Sequence, residues 1–540
     1  MNRRDLLAAV PFALPLAAQS QSSAPAADLG ARLYNVRTFG AKGDGTTLDT
    51  AAVQAAIDAC ARDRGGTVLI PAGDFVVGTI ELKNNVTLHL TAAGKLVGSD
   101  KPSDYSPGKG VPPGNGNVVL LYAVDAENVT IEGPGSIDGH GDKFYTGKGD
   151  NTGPGGKRAE GYFTRPHLAI FYRCRQLTLR DVFLTRSAYH CVRILQCRNV
   201  KLDSVRIHNR VNLNNDGFHI NSSEYVHISN CDVACQDDAC ALFGSNKFVT
   251  VTNSTFSTRW SIFRFGGGEA ENITVSNCVI YDTFGCVIKA RFGAGSRMEN
   301  ISFSNLIMNN VTGPIHIGLD STPRAGAPAP AQPRPKGIVR NLTFNGIQAT
   351  VSAQGGQFAD MPFKNNFRPG ETRTCITLNG AHDDLLENIS LNDIQVTYGG
   401  GGTAEEAARR NMPEMAGEYF ELGTLPAYGL YARGIHGLSM RNVRFQVTEP
   451  DLRPAVVFTR VHDAAVSAFS AQGNAASELV RVVDSTDILV SGPRVVTPAA
   501  AFVRLEGPGS SNIKVEGGDL SKAKEPVTFG AGASKDAVRL

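Results

Sequence analysis

The chain has 540 residues, 42% of them hydrophobic, enough for a large core and, by length alone, for roughly two to four ordinary domains. Lysine and arginine total 53 against 51 aspartate and glutamate, a net charge of +2, so no bulk field directs it to nucleic acid or to a membrane surface. Fifty-eight glycines among many Asn, Thr, Val and Ile residues favour short strands broken by tight turns.

The first segment reads as an address. Asn2-Arg3-Arg4-Asp5-Leu6-Leu7 sets paired arginines ahead of an apolar run to Ala18, followed by small and polar residues. This is the layout of a signal peptide over residues 1–24, and the arginine pair favours the twin-arginine type over the general one. The run is too short to span a bilayer, and no other candidate span follows. The expectation is a protein exported to the periplasm or beyond the cell, soluble once the signal is removed.

Residues 25–100 read as an N-terminal cap and first coils. Asp49 is placed to cap a helix whose apolar face is Ala52, Val53, Ala56, Ile57 and Cys60. Such a helix would cover the open end of a strand stack, which otherwise exposes unpaired edges.

One phrase then recurs across 101–540: a polar residue, Asn, a β-branched residue or Leu, and alternation. It appears as Glu127-Asn-Val-Thr-Ile131, Arg198-Asn-Val-Lys-Leu202, Glu271-Asn-Ile-Thr-Val275, Glu299-Asn-Ile-Ser-Phe303 and Glu387-Asn-Ile-Ser-Leu391. Its apolar residues fall at Leu177, Val200, Val226, Val249, Ile273 and Ile301, in steps of 23, 26, 23, 24 and 28 residues. Leu342, Ile389, Leu438, Val466, Ile488 and Ile513 continue the series. A fixed period in this range means stacked repeats, and period-2 alternation within each means strands. The predicted fold is all-β, a right-handed parallel β-helix with an N-terminal capping helix.

Of the ten cysteines, Cys174 and Cys197 fall at equivalent repeat positions, as do Cys231 and Cys278 within Ser-Asn-Cys. Stacked positions of this kind predict buried thiols acting as small apolar groups rather than disulfides. No pair has zinc-ligand spacing, and neither a metal nor a cofactor is expected. Two long steps hold insertions: the Pro/Ala-rich 321–336, and 399–428 with a short helix around Glu405 to Arg410. Insertions generally decorate one side of a solenoid, often the binding side, and these would favour attack from a chain end.

The chemistry-bearing residues are acidic. Asn214-Asn215-Asp216-Gly217 opens one coil and Gln236-Asp237-Asp238-Ala239 the next, with Asp216 and Asp237 21 residues apart, close to one coil. Carboxylates stacked on adjacent coils repel, so one keeps its proton near neutral pH. A protonated acid beside ionised carboxylates is what glycoside hydrolysis requires.

With these motifs the chain resembles glycoside hydrolase family 28, the polygalacturonases and their relatives. The resemblance runs from Asn35-Val-Arg-Thr-Phe-Gly-Ala-Lys-Gly-Asp-Gly through Gly135-Ser-Ile-Asp-Gly-His-Gly, Arg165-Pro166, Asn214-Asn-Asp-Gly and Asp237-Asp238 to Leu425-Pro-Ala-Tyr-Gly-Leu-Tyr. It implies inverting hydrolysis of a pectin-type acidic polysaccharide, galacturonan or rhamnogalacturonan, by a monomer. Asp237 would protonate the leaving oxygen, while Asp216 and Asp238 would activate water.

The chain departs from the family pattern one coil later. Where the family has Gly-His-Gly, this sequence reads Arg259-Trp-Ser-Ile-Phe-Arg-Phe-Gly266, and the Arg-Ile-Lys motif becomes Val287-Ile288-Lys289. Alternation turns His219, Phe243, Arg264, Lys289 and Arg291 outward if Phe218, Ile220, Leu242, Phe263, Phe265 and Ile288 face the core. Arg264, Lys289 and Arg291 are then candidates to hold a sugar carboxylate, His219 to assist proton transfer at Asp216, and Asn214 and the single Trp260 to contact sugar. Two other readings stay open: a polysaccharide lyase or epimerase, with the acids on Ca²⁺, and a non-catalytic carbohydrate-binding β-helix.

Overall fold

The computed structural model describes residues 32–114, 116–144, 164–322 and 334–540. The signal segment 1–24 and most of the 321–336 insertion lie outside the described residues. Among those described, the strands pair in parallel from coil to coil; the exception is the antiparallel pairing of Ser106–Pro107 with Val118–Val124. The architecture is the right-handed parallel β-helix that the repeat predicts.

Each full coil contributes three strands. His167–Tyr172, Arg175–Arg180 and Phe183–Thr185 make one coil, and Val192–Leu195, Arg198–Asp203 and Arg206–Asn209 make the next. Later coils fuse their strands into longer ribbons, such as Glu269–Gly293 and Arg297–Asp320. Equivalent residues stack, so Leu177, Val200, Val226, Val249, Ile273, Ile301, Leu342, Ile389 and Leu438 form one buried ladder. The next member is Ala464, not Val466, which pairs with Met440. A slip of two residues keeps the same face inward, so alternation by itself does not distinguish the two registers.

The recurring Asn has a backbone reason. Asn128, Asn199, Asn272, Asn300, Asn341 and Asn388 sit at coil corners with φ between 53° and 58°, left-handed positions that Asn tolerates better than most residues. Their side chains bond in a ladder: Asn300 Nδ2 donates to Asn272 Oδ1 (3.3 Å), Asn341 to Asn300 (3.0 Å) and Asn388 to Asn341 (3.1 Å). Inside, Phe303 and Phe344 stack at 5.2 Å with nearly parallel rings. All ten cysteines are buried and free.

The helix Thr50–Arg62 covers the first coils and buries Val53, Ala56, Ile57, Ala59 and Cys60. Asp49 precedes it but does not cap it. Its carboxylate instead accepts the Lys42 and Gly43 N–H groups at 2.7 and 2.8 Å, closing the preceding turn. Among the described residues no helix is long and apolar enough to cross a membrane.

The 399–428 insertion carries two short helices, Ala404–Ala408 and Tyr419–Leu422. A further excursion, residues 352–375, lies between Val351 and Ile376. It is signalled in the sequence only by the 47-residue step from Leu342 to Ile389. The 399–428 insertion returns over the outward side of one sheet, whose successive outward residues are Arg193, His219, Ala241, Arg264, Lys289, His316, Thr377 and Tyr431, and 352–375 packs beside it on Arg210, Arg259 and Phe284.

Candidate active site

The acids occupy the corner that leads into this sheet. Phe218 pairs with Cys240 and Cys240 with Phe263, so counting back two residues stacks Asp216, Asp238 and Ser261. The register therefore corrects the sequence expectation, in which Asp237 lay opposite Asp216. Asp237, the residue before Asp238, is aligned with Trp260 and lies one position off the row. Ser261, not Trp260, continues the acidic row.

The asparagines of the motif hold the corner. Asn215 is fully buried; its Oδ1 accepts Val211 and Asn212 N–H (3.0 and 2.7 Å) and its Nδ2 donates to Ser187 and Tyr189 carbonyls (both 2.9 Å). Asn209 Nδ2 donates to the Asp216 carbonyl at 3.1 Å. Asn214, at φ 55°, directs Nδ2 to Asp237 Oδ2 (3.2 Å) while Oδ1 accepts from Arg165 (3.3 Å). Asp237 Oδ1 accepts the Asp238 N–H at 2.9 Å, and its own carbonyl accepts from the Thr258 hydroxyl. Such backbone demands explain why a short polar run folds into a rigid corner.

Asp216, Asp237 and Asp238 are 4%, 8% and 7% exposed, so three carboxyl groups are nearly withdrawn from water. Burial, followed by Asp238, pushes the Asp216 carboxyl well above the usual range. Burial, then Asp216 and Asp238, does the same to Asp237. Asp238 Oδ1 and Ser261 Oγ are buried with no hydrogen-bond partner, polar atoms of the kind a sugar hydroxyl or a reacting water would satisfy.

Imidazoles flank Asp216. His219 Nδ1 lies 2.7 Å from Asp216 Oδ2, and His190 Nε2 lies 3.7 Å from the same oxygen. The two rings stack at 4.5 Å. Burial first, then Arg193, lowers His219 to about 3, so it is neutral near pH 7. Burial also drives His190 well down. Behind them stand His167, Tyr189 and Arg165, whose guanidinium lies 4.5 Å from the Tyr189 ring. The ligand atoms of His190, Asp216 and His219 lie within 4.8 Å of one another. Two imidazoles and one carboxylate are a poor set for Ca²⁺, which takes oxygen ligands, and the 2.7 Å contact is a hydrogen bond.

The cations on the other side of the acids stack as alternation places them, Arg264 against Lys289. Arg264 Nη2 and Lys289 Nζ reach Glu418 at 3.1 and 3.3 Å, and Arg291 reaches Glu421 at 3.3 Å. Lys289 is fully buried and lies 4.4 Å from the Trp260 ring, which in turn meets Phe420 at 6.0 Å. Trp260 is thus half-buried wall rather than core. Glutamates of the 399–428 insertion engage all three cations. Alternation finds outward residues but cannot place a partner more than 120 residues away. His190, Arg193, Glu418 and Glu421 were missed for the same reason: each acquires its role only by stacking or by loop return.

The 352–375 excursion forms a further wall. Arg259, where the family has its glycine-histidine motif, donates to the Phe284 and Asn366 carbonyls (both 2.7 Å) and pairs with the buried Glu371 at 3.1 Å. Arg210 pairs with Asp360 and packs 3.8 Å from the Phe358 ring.

Three buried carboxyls on a β-helix corner, walled by aromatic and cationic side chains, form an arrangement suited to acid/base chemistry on a carbohydrate. Residues 60–415 match the family model described as glycosyl hydrolases family 28, and the chain belongs to that family. It is therefore a glycosidase. An exopolygalacturonase of Platanus acerifolia is 24% identical over 72% of this chain and 96% of its own. An exo-poly-alpha-D-galacturonosidase of Dickeya chrysanthemi is 27% identical, over 67% of this chain and 62% of its own. Among solved structures, an exopolygalacturonase of Thermotoga maritima superposes with a TM-score of 0.56 at 20% identity, covering 77% of this chain and 92% of that one. At that identity the superposition establishes the fold.

Proposed function

We propose that this glycosidase cleaves a pectin-type acidic polysaccharide, galacturonan or rhamnogalacturonan, with inversion at the cleaved carbon. Asp237 is the general acid, and Asp216 with Asp238 activates the attacking water. The carrying observation is the buried acidic corner itself. Arg193 and Arg165 favour the ionised form of Asp216, and Lys289, which Glu418 also engages, favours that of Asp237. Similarity to proteins named for polygalacturonan supports the substrate class.

His219 sets Asp216 as base; Asn214 orients Asp237; Trp260, Arg264, Lys289 and Arg291 bound the neighbouring sugar site. Met412 to Leu422 cover the sheet beyond Lys289, with Asn379 Nδ2 on the Met415 carbonyl and Arg433 on the Pro413 carbonyl, both at 2.8 Å. A cleft closed on that side supports attack near a chain end. Export before action fits a polymeric substrate that does not enter cells.

The test is incubation with homogalacturonan and rhamnogalacturonan, with and without EDTA, followed by proton NMR of the new ends. Inverted reducing ends, indifferent to EDTA and lost in Asp237→Asn, are expected. Unsaturated, ultraviolet-absorbing products abolished by EDTA would replace this reading with a lyase.

A further inference from the structure

The corner row that carries Asp216 and Asp238 begins one coil earlier, with His190. Val192 pairs with Phe218, so counting back two residues stacks His190 on Asp216. His219, on the strand Phe218–Asn221, completes a set of two imidazoles and one carboxylate. Their ligand atoms converge on one oxygen: His219 Nδ1 lies 2.7 Å and His190 Nε2 3.7 Å from Asp216 Oδ2. All three lie within 4.8 Å of one another.

His190 is the uncommitted member. It is 5% exposed, yet Nδ1 has no hydrogen-bond partner among the described residues, and Nε2 stops short of hydrogen-bond length from Asp216. Stacking on His219 at 4.5 Å holds the ring but engages neither nitrogen. Buried polar side-chain atoms ordinarily have a partner. Here Nε2, the atom turned to Asp216, is left to take a ligand.

The donor set that is poor for Ca²⁺ suits a dication of the zinc class, which takes two histidines and a carboxylate and leaves a fourth position to water. Ligands about 2.1 Å from such an ion stand about 3.4 Å apart in a tetrahedron. Reaching that spacing from the present one moves no edge by more than about 1.4 Å, within the travel of side chains. The ion takes the place of the proton in the His219–Asp216 hydrogen bond, and that proton passes to solvent. The charged groups bearing on the set are Asp238, Arg193 and Arg165, with Asp237 beyond Asp216. Three carboxyls thus face two guanidiniums, so a dication displaces protons from the acids rather than entering a purely cationic pocket.

We infer that His190, Asp216 and His219 bind one transition-metal dication, and that the bound ion blocks hydrolysis by taking Asp216 away from the attacking water. Binding stands on the geometry alone; the block rests on the base role proposed above for Asp216. Hydrolysis itself runs without the ion, in keeping with the expected indifference to EDTA.

The experiment titrates the chelator-stripped protein with Co²⁺ and then Zn²⁺, following the visible spectrum and turnover of homogalacturonan and rhamnogalacturonan together. Co²⁺ should give the weak visible bands of a nitrogen–oxygen site at one ion per chain, and Zn²⁺ should bleach them. Turnover should fall as Zn²⁺ fills the same site and return with EDTA. His190→Phe keeps a stacked ring and removes one ligand. It should weaken Zn²⁺ binding and inhibition by about 10²-fold or more, beyond what losing an outer-shell partner costs. Absence of the Co²⁺ bands from the unmodified protein overturns the inference without needing a variant to fold. A near-ultraviolet thiolate band, which would mean capture by cysteine, or unchanged affinity in His190→Phe, would also overturn it. Full occupancy with undiminished turnover overturns the block. Failure of the metal-free enzyme to cleave either polymer removes the pectin-type reading instead, and the Co²⁺ spectrum still decides the site.

Discussion

His219 Nδ1 and Asp216 Oδ2 are 2.7 Å apart, joined across a three-residue step at the corner where the acids gather. One step in sequence thus fixes a buried carboxylate against a buried neutral imidazole. The pair ties the orientation of the proposed base to a ring that is itself stacked on His190.

The first consequence is a pH profile without a histidine limb. With His219 lowered to about 3 and His190 driven down by burial, neither ring should titrate between pH 5 and 8 in the folded enzyme. NMR of the ring protons checks this directly. His219→Ala should reduce kcat by about 10²-fold or more, the scale of a lost proton-transfer partner, with a smaller change in KM.

A second prediction concerns stability. Asp216 and Asp237 have folded pKa values raised above those of the unfolded chain. The native state then binds more protons than the unfolded state between those values. Stability should fall as pH rises from the ordinary carboxylate range through the raised folded pKa values. Asp237→Asn should consequently raise Tm at pH 7 while abolishing turnover, and the gain should shrink below pH 4. An unchanged or lowered Tm at pH 7 would contradict the buried-acid account.

The Arg259–Glu371 pair offers a third. Both side chains are nearly inaccessible, and together they pin the 352–375 wall to the coil after the acids. Arg259→Met leaves Glu371 without its cation and should cost about 3–5 kcal/mol, read as a loss in denaturant midpoint. Limited proteolysis should then cut within 352–375 before any other described segment.

The corner ladder supplies a fourth. Asn300 sits at φ 57° and bonds both Asn272 and Asn341. Asn300→Ala should destabilise by about 1–3 kcal/mol through left-handed strain and lost hydrogen bonds, with kcat untouched. Asn300→Gly should recover part of that loss, because glycine accepts the backbone angle.

Much of this was legible in the chain. The Glu-Asn-Ile phrase carries both the corner angle and the inward apolar residue, so its spacing reveals coils, face and stacking together. Asp216, Asp237 and Asp238 stand out because nearby acids a coil apart need a reason. Register at the corners was not legible: Asp237 and Asp238 differ by one residue in facing, and Val466 and Ala464 share a face. Nor were Glu418 and Glu421, which lie in a polar loop without periodicity and gain meaning only from where the turn Tyr419–Leu422 lands.

The thiol ladders carry a consequence of their own. All ten cysteines are buried, Cys60 on the capping helix and the others in the coils; burial raises Cys60 and Cys278 to about 11 and Cys231 to about 12, whereas the hydrogen bond with Cys197 lowers Cys174. A protonated thiol is a poor nucleophile, and none of these needs a partner to complete the fold. The fold therefore calls for no disulfide, and its assembly needs neither an oxidant nor an isomerase.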